Sequence, residues 1–287
     1  PTIAFFNKTA ITQANIQTAV FAWISDPTTA TGTYGHISHW DTSAVTNMSG
    51  LFSNQVSFND DISNWDVSNV TDMSAMFWYA YAFNNGQTNN EGTAPLNWDT
   101  SEVRDMGGMF TDARAFNQDI SKWNVSNVTY MLGMFNATVA FDQPINTTLN
   151  VTMNGSTYTA WDVSKVTDMA GMFESAAVFN QPIGSWDVSK VTKMQSMFSY
   201  ASAFNQPIGN WDVSNVTNMY YMFYNAPAFN QPIGNWGVSS VTDMEGMFYG
   251  ATIFNQNIGV WKPPSGATFT PSGATFTDMF TSATTMQ

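Results

Sequence analysis

Aspartate is the residue type whose spacing in this chain is best suited to ligand chemistry. If the repeats that carry these residues lie side by side, their carboxylates stand about 5 Å apart in one column, where repulsion raises their pKa values or recruits a cation. Calcium prefers oxygen ligands of this kind. The column is a candidate strip for calcium or a sugar, and the alternative is that each Asp only accepts local hydrogen bonds. Its members follow a Trp: Asp41, Asp66, Asp99, Asp162, Asp187 and Asp212.

Catalysis is disfavoured by the other reactive residues. The histidines are His36 and His39, close to Asp41, and two histidines in a turn favour a structural role over a metal cluster. Cysteine is absent, and so are the G-x-S-x-G, H-E-x-x-H and phosphate-loop motifs. Acid–base work would fall to carboxylates, but an active site is single whereas this column is periodic. We therefore predict a protein that is not an enzyme, with no catalytic residues, no metal ligands and no cofactor, calcium excepted.

The charge balance excludes two classes of partner. The chain has 8 Lys and Arg residues against 21 Asp and Glu residues, which gives a net charge of −13. Nucleic acid and anionic membrane surfaces both require basic contacts. No apolar run approaches the length of a membrane span. The expected partners are the chain itself, a surface protein or a glycan.

Asparagine within N-x-S/T sequons provides candidate glycosylation sites. One group recurs at the same place in the motif SNVT, and Asn154 lies at the tip of a predicted hairpin. The full set is Asn7, Asn47, Asn69, Asn124, Asn127, Asn136, Asn146, Asn150, Asn154 and Asn215.

An internal repeat organises most of the chain. Trp recurs at positions 40, 65, 98, 123, 161, 186, 211, 236 and 261, mostly in steps of 25 residues. The clean unit, FNQPIGNWDVSNVTNMYYMFYNA, covers residues 204–226. W-x-V alternates as a short strand does, and the apolar stripe from Val216 to Ala226 has helical spacing, with Ser214 as its N-cap. A single unit cannot bury its Trp, Met and Phe side chains, so the units must stack, and an Asn column in the turns can satisfy backbone groups of the next unit.

The pattern W-D-V-S-x-V-T-x-M-x-x-M-F-x-x-A-x-x-F-N resembles the BspA-like leucine-rich-repeat surface proteins, in the branch first catalogued as lipoprotein repeats. The resemblance covers residues 34–262 and departs from the pattern at Asn124, Gly237, Lys262 and Arg104. It implies a repeat solenoid with short parallel strands on one face and short helical or 3₁₀ turns on the other. It also implies secretion or surface display for adhesion, with no catalytic residues to carry over.

The predicted organisation has three parts. Residues 1–33 form an N-terminal cap whose helix, over residues 11–24, ends at Asp26-Pro27. Residues 34–262 form a solenoid of about nine coils with insertions near 85–95 and 143–160. The second insertion predicts a β-hairpin around Asn154-Gly155. Residues 263–287 form a C-terminal cap or a docking segment that exposes Phe269, Phe276 and Phe280. The first residue is Pro1, which indicates a removed secretion signal or a fragment.

Of two functions, both extracellular or at the cell surface, the first is the predicted one and the second is its alternative. In the first, subunits assemble end to end into a structural, N-glycosylated filament. In the second, a monomer recognises a protein or glycan through the Asp column on the concave face and through the edge hairpin, with calcium as a candidate cofactor.

Overall fold

The computed structural model describes residues 8–87 and 95–264, and its regular elements lie near the N-terminus and in one insertion. Helix α1 spans Ile16–Ser25, helix α2 spans Pro27–Tyr34, and a short 3₁₀ helix spans Ile37–His39. Strands β1 (Thr148–Met153) and β2 (Ser156–Ala160) pair antiparallel. In these two ranges neither α-helix has the length and apolar character that a bilayer crossing requires.

The N-terminal segment forms two helices where the sequence predicts one. Asp26-Pro27 ends α1, as expected, but it also begins α2, because Asp26 Oδ1 accepts hydrogen bonds from the Thr28 and Thr29 amides at 3.0 and 3.1 Å. Asp at the N-cap and Pro at the first position are both favourable for a helix start. The sequence PTTATGTY has only one buried residue, Ala30, so it has no apolar stripe from which α2 could be predicted.

Glutamine side chains of the cap complete the first repeat. In the second repeat the Thr71 amide donates to the Thr46 carbonyl of the repeat before it, at 2.9 Å. Thr46 has no earlier repeat, and its amide donates instead to Gln13 Oε1, also at 2.9 Å. Gln17 Nε2 donates to the Leu51 carbonyl at 3.3 Å. The cap therefore supplies from side chains what a preceding repeat supplies from its backbone.

Successive repeats lie in parallel register along the described chain. A single parallel bridge joins each repeat to the next through the residue between Thr and Met of the T-x-M motif. The bridges lie in this motif and not in W-x-V, where the sequence predicts the strand. The linked residues are Asn47, Asp72, Asp105, Tyr130, Asp168, Lys193, Asn218 and Asp243.

The segment M-x-x-M-F, which we call the turn segment, is a series of turns and not the helix that its apolar spacing predicts. Its backbone amides alternate between two partners. Phe52 donates to Met76 of the next repeat at 2.8 Å, whereas the next amide, Ser53, donates to Gly50 of its own repeat at 2.9 Å. The alternation requires residues whose backbone adopts the left-handed conformation, such as Gly50 (φ 64°) and Asn54 (φ 62°). Each local bond joins residues three apart, and this produces the i, i+3 spacing without a continuous helix.

The core consists of aromatic columns that run from repeat to repeat. Each repeat tryptophan from Trp65 to Trp261 donates its indole N–H to a carbonyl of the preceding repeat, as Trp211 does to Ile183 at 3.1 Å. Two phenylalanines per repeat stack on their equivalents, for example Phe198 on Phe223 with ring centroids 5.6 Å apart. These rings are almost fully buried, so stacking of repeats creates the core that one repeat lacks.

The predicted Asn column is confirmed as an amide ladder. Asn205 Oδ1 accepts hydrogen bonds from the Asn230 amide at 3.0 Å and from Gln231 Nε2 at 2.9 Å. The same contact links other pairs, and Asp142 replaces Asn in one repeat by accepting from the Asn180 amide at 2.9 Å. The ladder satisfies backbone donors between one repeat and the next.

The hairpin predicted in the second insertion is confirmed. Met153 pairs with Ser156, and the turn between them has positive φ at both Asn154 (50°) and Gly155 (80°), as a type I′ turn requires. A bulge interrupts the register between Thr148 and Val151. The predictions for Asn7, most of the first insertion, and the C-terminal segment with Phe269, Phe276 and Phe280 fall outside the described residues.

Candidate functional site

Each carboxylate of the aspartate column closes a small turn. The Asp Oδ1 atom accepts a hydrogen bond from the amide of the Ser two residues later, over 3.0 to 3.1 Å in every member. The Ser hydroxyl donates as well to Asp41 and to Asp66, at 2.6 Å in both. Asp repeats here because it is a good acceptor for this turn.

These hydrogen bonds favour the charged form of two members of the column. Hydrogen bonds from the Ser43 hydroxyl and then from its amide hold the pKa of Asp41 below its usual value, and Ser214 does the same for Asp212. The expectation that crowding raises the pKa is therefore wrong for these two residues. A lowered pKa stabilises the folded state above the unfolded value, and the contribution is lost as pH falls through the folded value. Both side chains are exposed, so the contribution is small.

Metal-ligand geometry is lacking in the part of the chain that the structure describes. No group of three or more His, Asp or Glu side chains is placed to hold an ion there. His36 contacts the Ser38 hydroxyl at 2.8 Å and packs edge-on against Trp23. The Asp41 carboxylate accepts hydrogen bonds from Ser43 in its own turn. His36, His39 and Asp41 are therefore not placed around a common metal position.

The hairpin changes one part of the aspartate column. The Tyr158 hydroxyl donates to the Lys122 carbonyl, and the Trp161 amide donates to the Trp123 carbonyl at 3.1 Å. Both contacts hold β2 and the residue after it against the repeat that contains Asn124. As a result Asp99 and Asp162 are half-buried, whereas the members away from the hairpin, such as Asp41, are exposed.

A cleft of about 200 Å³ lies between the hairpin and the column. We call this space the hairpin cleft. Its wall on the column side consists of polar side chains, from Asp99, Ser101 and Asn124. The other wall combines apolar and hydroxyl groups of the hairpin: Met153, Ser156, Thr157 and Tyr158.

Electrostatics in the hairpin cleft differ from those of the open column. Burial raises the pKa of the Tyr158 phenol, and the charge of Asp99 raises it further. The phenol therefore stays protonated, but its single O–H is donated to the Lys122 carbonyl, so its oxygen, like the Asp99 carboxylate, can only accept from a ligand. The Ser and Thr hydroxyls that line the cleft can donate or accept. A polar ligand with both donors and acceptors, such as a sugar or a protein side chain, matches this arrangement.

The sequons fall into two groups in the described residues. In the SNVT motif the Asn side-chain amides of Asn69, Asn127 and Asn215 donate to a Ser carbonyl of the preceding repeat at 2.8 to 2.9 Å. Three more side-chain amides also donate: Asn47, Asn136 and Asn146. Asn124 Oδ1 accepts from Ser126, as the Asp residues do. Exposure does not separate the groups, because Asn69 and Asn215 are exposed as well as Asn150 and Asn154 on the hairpin. The difference is that the SNVT side chains are hydrogen-bonded between repeats, whereas the hairpin pair has no side-chain hydrogen bond within the described residues.

Sequence reasoning located the column and the hairpin but not their contact. The residues it missed are those on the hairpin side of the cleft, Met153, Ser156, Thr157 and Tyr158. Alternation along β2 shows that Ser156 and Tyr158 share a face. The direction in which the hairpin folds depends on the contact of Tyr158 with Lys122, which is 36 residues away.

Comparisons with known proteins assign the repeats to a family. The family model described as "Mycoplasma protein of unknown function, DUF285" matches residues 28–95, 92–158 and 146–261. No curated protein and no solved structure matches the chain. The three matches together cover most of the chain, including every repeat tryptophan. The chain therefore belongs to the family described as Mycoplasma protein of unknown function, DUF285.

Proposed function

We propose that this chain is a recognition module displayed outside the cell, with a leucine-rich-repeat-like solenoid of the BspA-like kind, and that it binds a protein or glycan without catalysis. The proposal takes as support the motif resemblance and the parallel register of the repeats. Carboxylates that recur as turn acceptors also favour a scaffold over an active site.

One observation carries the proposal. The hairpin is the largest departure from the repeat, and it packs on the aspartate column to enclose the hairpin cleft. An insertion that served only as a connection would not need to enclose donors and acceptors of the scaffold. Loops held on a rigid scaffold are common places for binding sites.

End-to-end assembly into a filament is the competing proposal. A filament of this type needs a heterologous interface in which one end of a subunit pairs with the other end of the next. The Thr46 amide would be a docking group for another subunit, but Gln13 already accepts its hydrogen bond at 2.9 Å. The helical cap thus favours recognition by a monomer over stacking through this end.

Glycosylation is a further part of the proposal and gives a testable order of sites. When the chain is produced through a eukaryotic secretory pathway, we expect hexose-bearing peptides at Asn150 and Asn154 first. Occupancy at the SNVT sites should be lower, because Asn69, Asn127 and Asn215 use their side-chain amides between repeats. Peptide mass spectrometry measures the occupancy of each site, and equal occupancy in the two groups would contradict this order.

Binding to a printed array of defined oligosaccharides and purified secreted proteins tests the main proposal. We expect the unmodified chain to bind a subset of spots, and Asp99→Asn to weaken that binding by about tenfold. Removing a charge that contacts a bound polar ligand typically has an effect of this size. Asn124 shows that Asn supports the same turn, since it accepts from the Ser126 amide at 3.2 Å.

The matched control is Asp41→Asn, which makes the same change in a repeat that the hairpin does not reach. Binding that depends equally on Asp41 and Asp99 would assign recognition to the column and not to the hairpin cleft. Repeating the array with a calcium chelator tests the calcium prediction, because a calcium-dependent strip loses all binding. An absence of bound spots, together with regular fibres in electron micrographs, would replace this proposal with the filament.

A further inference from the structure

A second concave surface lies on the turn segments, away from the hairpin cleft. Two adjoining cavities, of about 360 and 250 Å³, share Leu132, Gly133 and Asn136. Together they form a groove across five repeats, from Ala75 to Ser196, which we call the turn groove. At a spacing of about 4.8 Å between repeats it is roughly 19 Å long, which fits roughly six residues of extended chain.

Glycine forms the floor of the turn groove. Gly108, Gly133 and Gly171 have φ values of 61°, 61° and 58°, in the left-handed region that other residues enter at a cost. The repeats at the ends of the groove have Ala75 and Ser196 at the same position, and the next repeat has Tyr221. A groove therefore exists where the sequence places glycine in successive repeats, and its length is a property of this chain.

One end of the turn groove has hydrogen-bond acceptors with unused capacity. Burial raises the pKa of the Glu174 carboxyl, although a hydrogen bond from Asn136 Nδ2 at 3.1 Å opposes the rise. No ion pair to Glu174 forms among residues 8–87 and 95–264, where Lys193 pairs with Asp168. Gln195 Oε1 is buried there without a hydrogen-bond partner. A cation with several N–H donors would compensate both groups.

The other end of the turn groove is apolar and aromatic. Trp78 lines this end and Leu132 lies where the two cavities meet, and 41% and 49% of their surfaces remain exposed. In the repeats that supply Trp78 and Gly108, the Arg114 guanidinium lies 4.5 Å above the centre of the Tyr81 ring. That contact is a cation–π interaction, so an aromatic ring on this surface of the protein already binds a guanidinium group.

We propose that the turn groove binds an extended peptide segment of another protein, with a Lys or Arg side chain at Glu174 and Gln195 and an apolar side chain against Trp78 and Leu132. Charge complementarity favours this occupant, because the chain has a net charge of −13 and the groove has a carboxylate without an ion pair. An oligosaccharide is the other occupant that the aromatic end could accept.

Fluorescence polarisation of the full chain with synthetic hexapeptides tests the proposal. One fluorescent library has a fixed Arg and a fixed Leu among randomised Ser, Ala and Gly positions, and its matched library has Glu in place of Arg. We expect binding of the Arg library at micromolar to millimolar Kd, and binding of the Glu library at least tenfold weaker. We also expect Glu174→Gln and Trp78→Ala each to weaken the Arg library by fivefold or more.

The control is Asp99→Asn, which removes a charge from the hairpin cleft and should leave peptide binding unchanged. It separates failure of this proposal from failure of the proposed function. Equal binding of the two libraries, or binding that Glu174→Gln leaves intact, would overturn the proposal. Binding of an oligosaccharide array that depends on Trp78 while neither peptide library binds would assign the groove to a glycan instead.

Discussion

Replacing Trp123 with alanine will lower the free energy of unfolding by about 3–5 kcal/mol, the range for removing a buried aromatic side chain. Trp123 is fully buried, it stacks on Trp98 with centroids 6.0 Å apart, and its indole N–H donates to the Leu96 carbonyl at 2.7 Å. The substitution therefore leaves a cavity and a buried carbonyl without its donor. For a chain of this size, scanning calorimetry should show a midpoint lower by roughly 6–20 °C.

The same substitution should also reduce cooperativity. Each repeat packs only on its neighbours, so a defect in the middle of the stack weakens both of its interfaces. We expect the single calorimetric transition to broaden or to divide in two, one for the repeats on each side of Trp123. Trp123→Phe should have an intermediate effect, because it keeps an aromatic ring but removes the N–H donor.

Trp78→Ala is the matched control for the core. Trp78 has 41% of its surface exposed, and its ring contacts Tyr79 edge-on at 5.0 Å. We expect a loss of less than about 1 kcal/mol, as for other partly exposed positions. Comparable losses for Trp123 and Trp78 would contradict the assignment of the regularly spaced tryptophans to the core.

The sequence predicts the parts of this fold that repeat, because repetition converts a weak local pattern into a strong one. The Trp spacing locates every indole that donates to the preceding repeat, and Asn154-Gly155 locates the hairpin turn. The hairpin turn rests on two adjacent residues, and the indole contacts, although they join different repeats, recur with a period that the sequence displays. The Asn column is of the same kind, since an amide that recurs every 25 residues needs a partner that recurs with it.

The features that the sequence does not predict depend on contacts whose partners the repeat pattern does not identify. Met219 and Met222 have helical spacing, but the Met219 amide donates to Asp243 of the next repeat at 2.8 Å. A continuous helix is therefore not formed in the turn segment, because every second amide donates to a neighbouring repeat, while the amides between them close local turns of the i to i+3 kind that the 3₁₀ alternative predicts. The hairpin cleft is missed for the same reason, since Asp99 and Tyr158 approach each other only after the chain has folded back.

The two proposed binding surfaces differ in how they arise from the repeat. The turn groove comes from the repeat itself, where Gly108, Gly133 and Gly171 follow one another in successive units. The hairpin cleft comes from an insertion that occurs once and covers a regular column. A stack of nearly identical units thus acquires individual sites either by a run of one residue type or by a local addition.

Asn205→Ala will lower the free energy of unfolding by about 1–3 kcal/mol, the cost of leaving a buried donor without its partner. Asn205 Oδ1 accepts from the Asn230 amide at 3.0 Å, and alanine removes that acceptor. Gln231 Nε2 loses the same oxygen but keeps the Asn205 carbonyl at 2.9 Å. The loss should therefore be close to that of one unsatisfied backbone amide, measured by denaturant titration.

Asn205→Asp tests whether the side-chain oxygen of Asn205 or its NH₂ group stabilises the ladder, because aspartate keeps the oxygen and removes the NH₂ group. The protein contains this variant naturally, because Asp142 occupies the ladder position and accepts from the Asn180 amide at 2.9 Å. At neutral pH the introduced carboxylate keeps the acceptor, so we expect a loss of less than about 1 kcal/mol, as for substitutions that preserve the hydrogen bond. If alanine and aspartate destabilise the protein equally at neutral pH, the side-chain oxygen is not what stabilises the ladder.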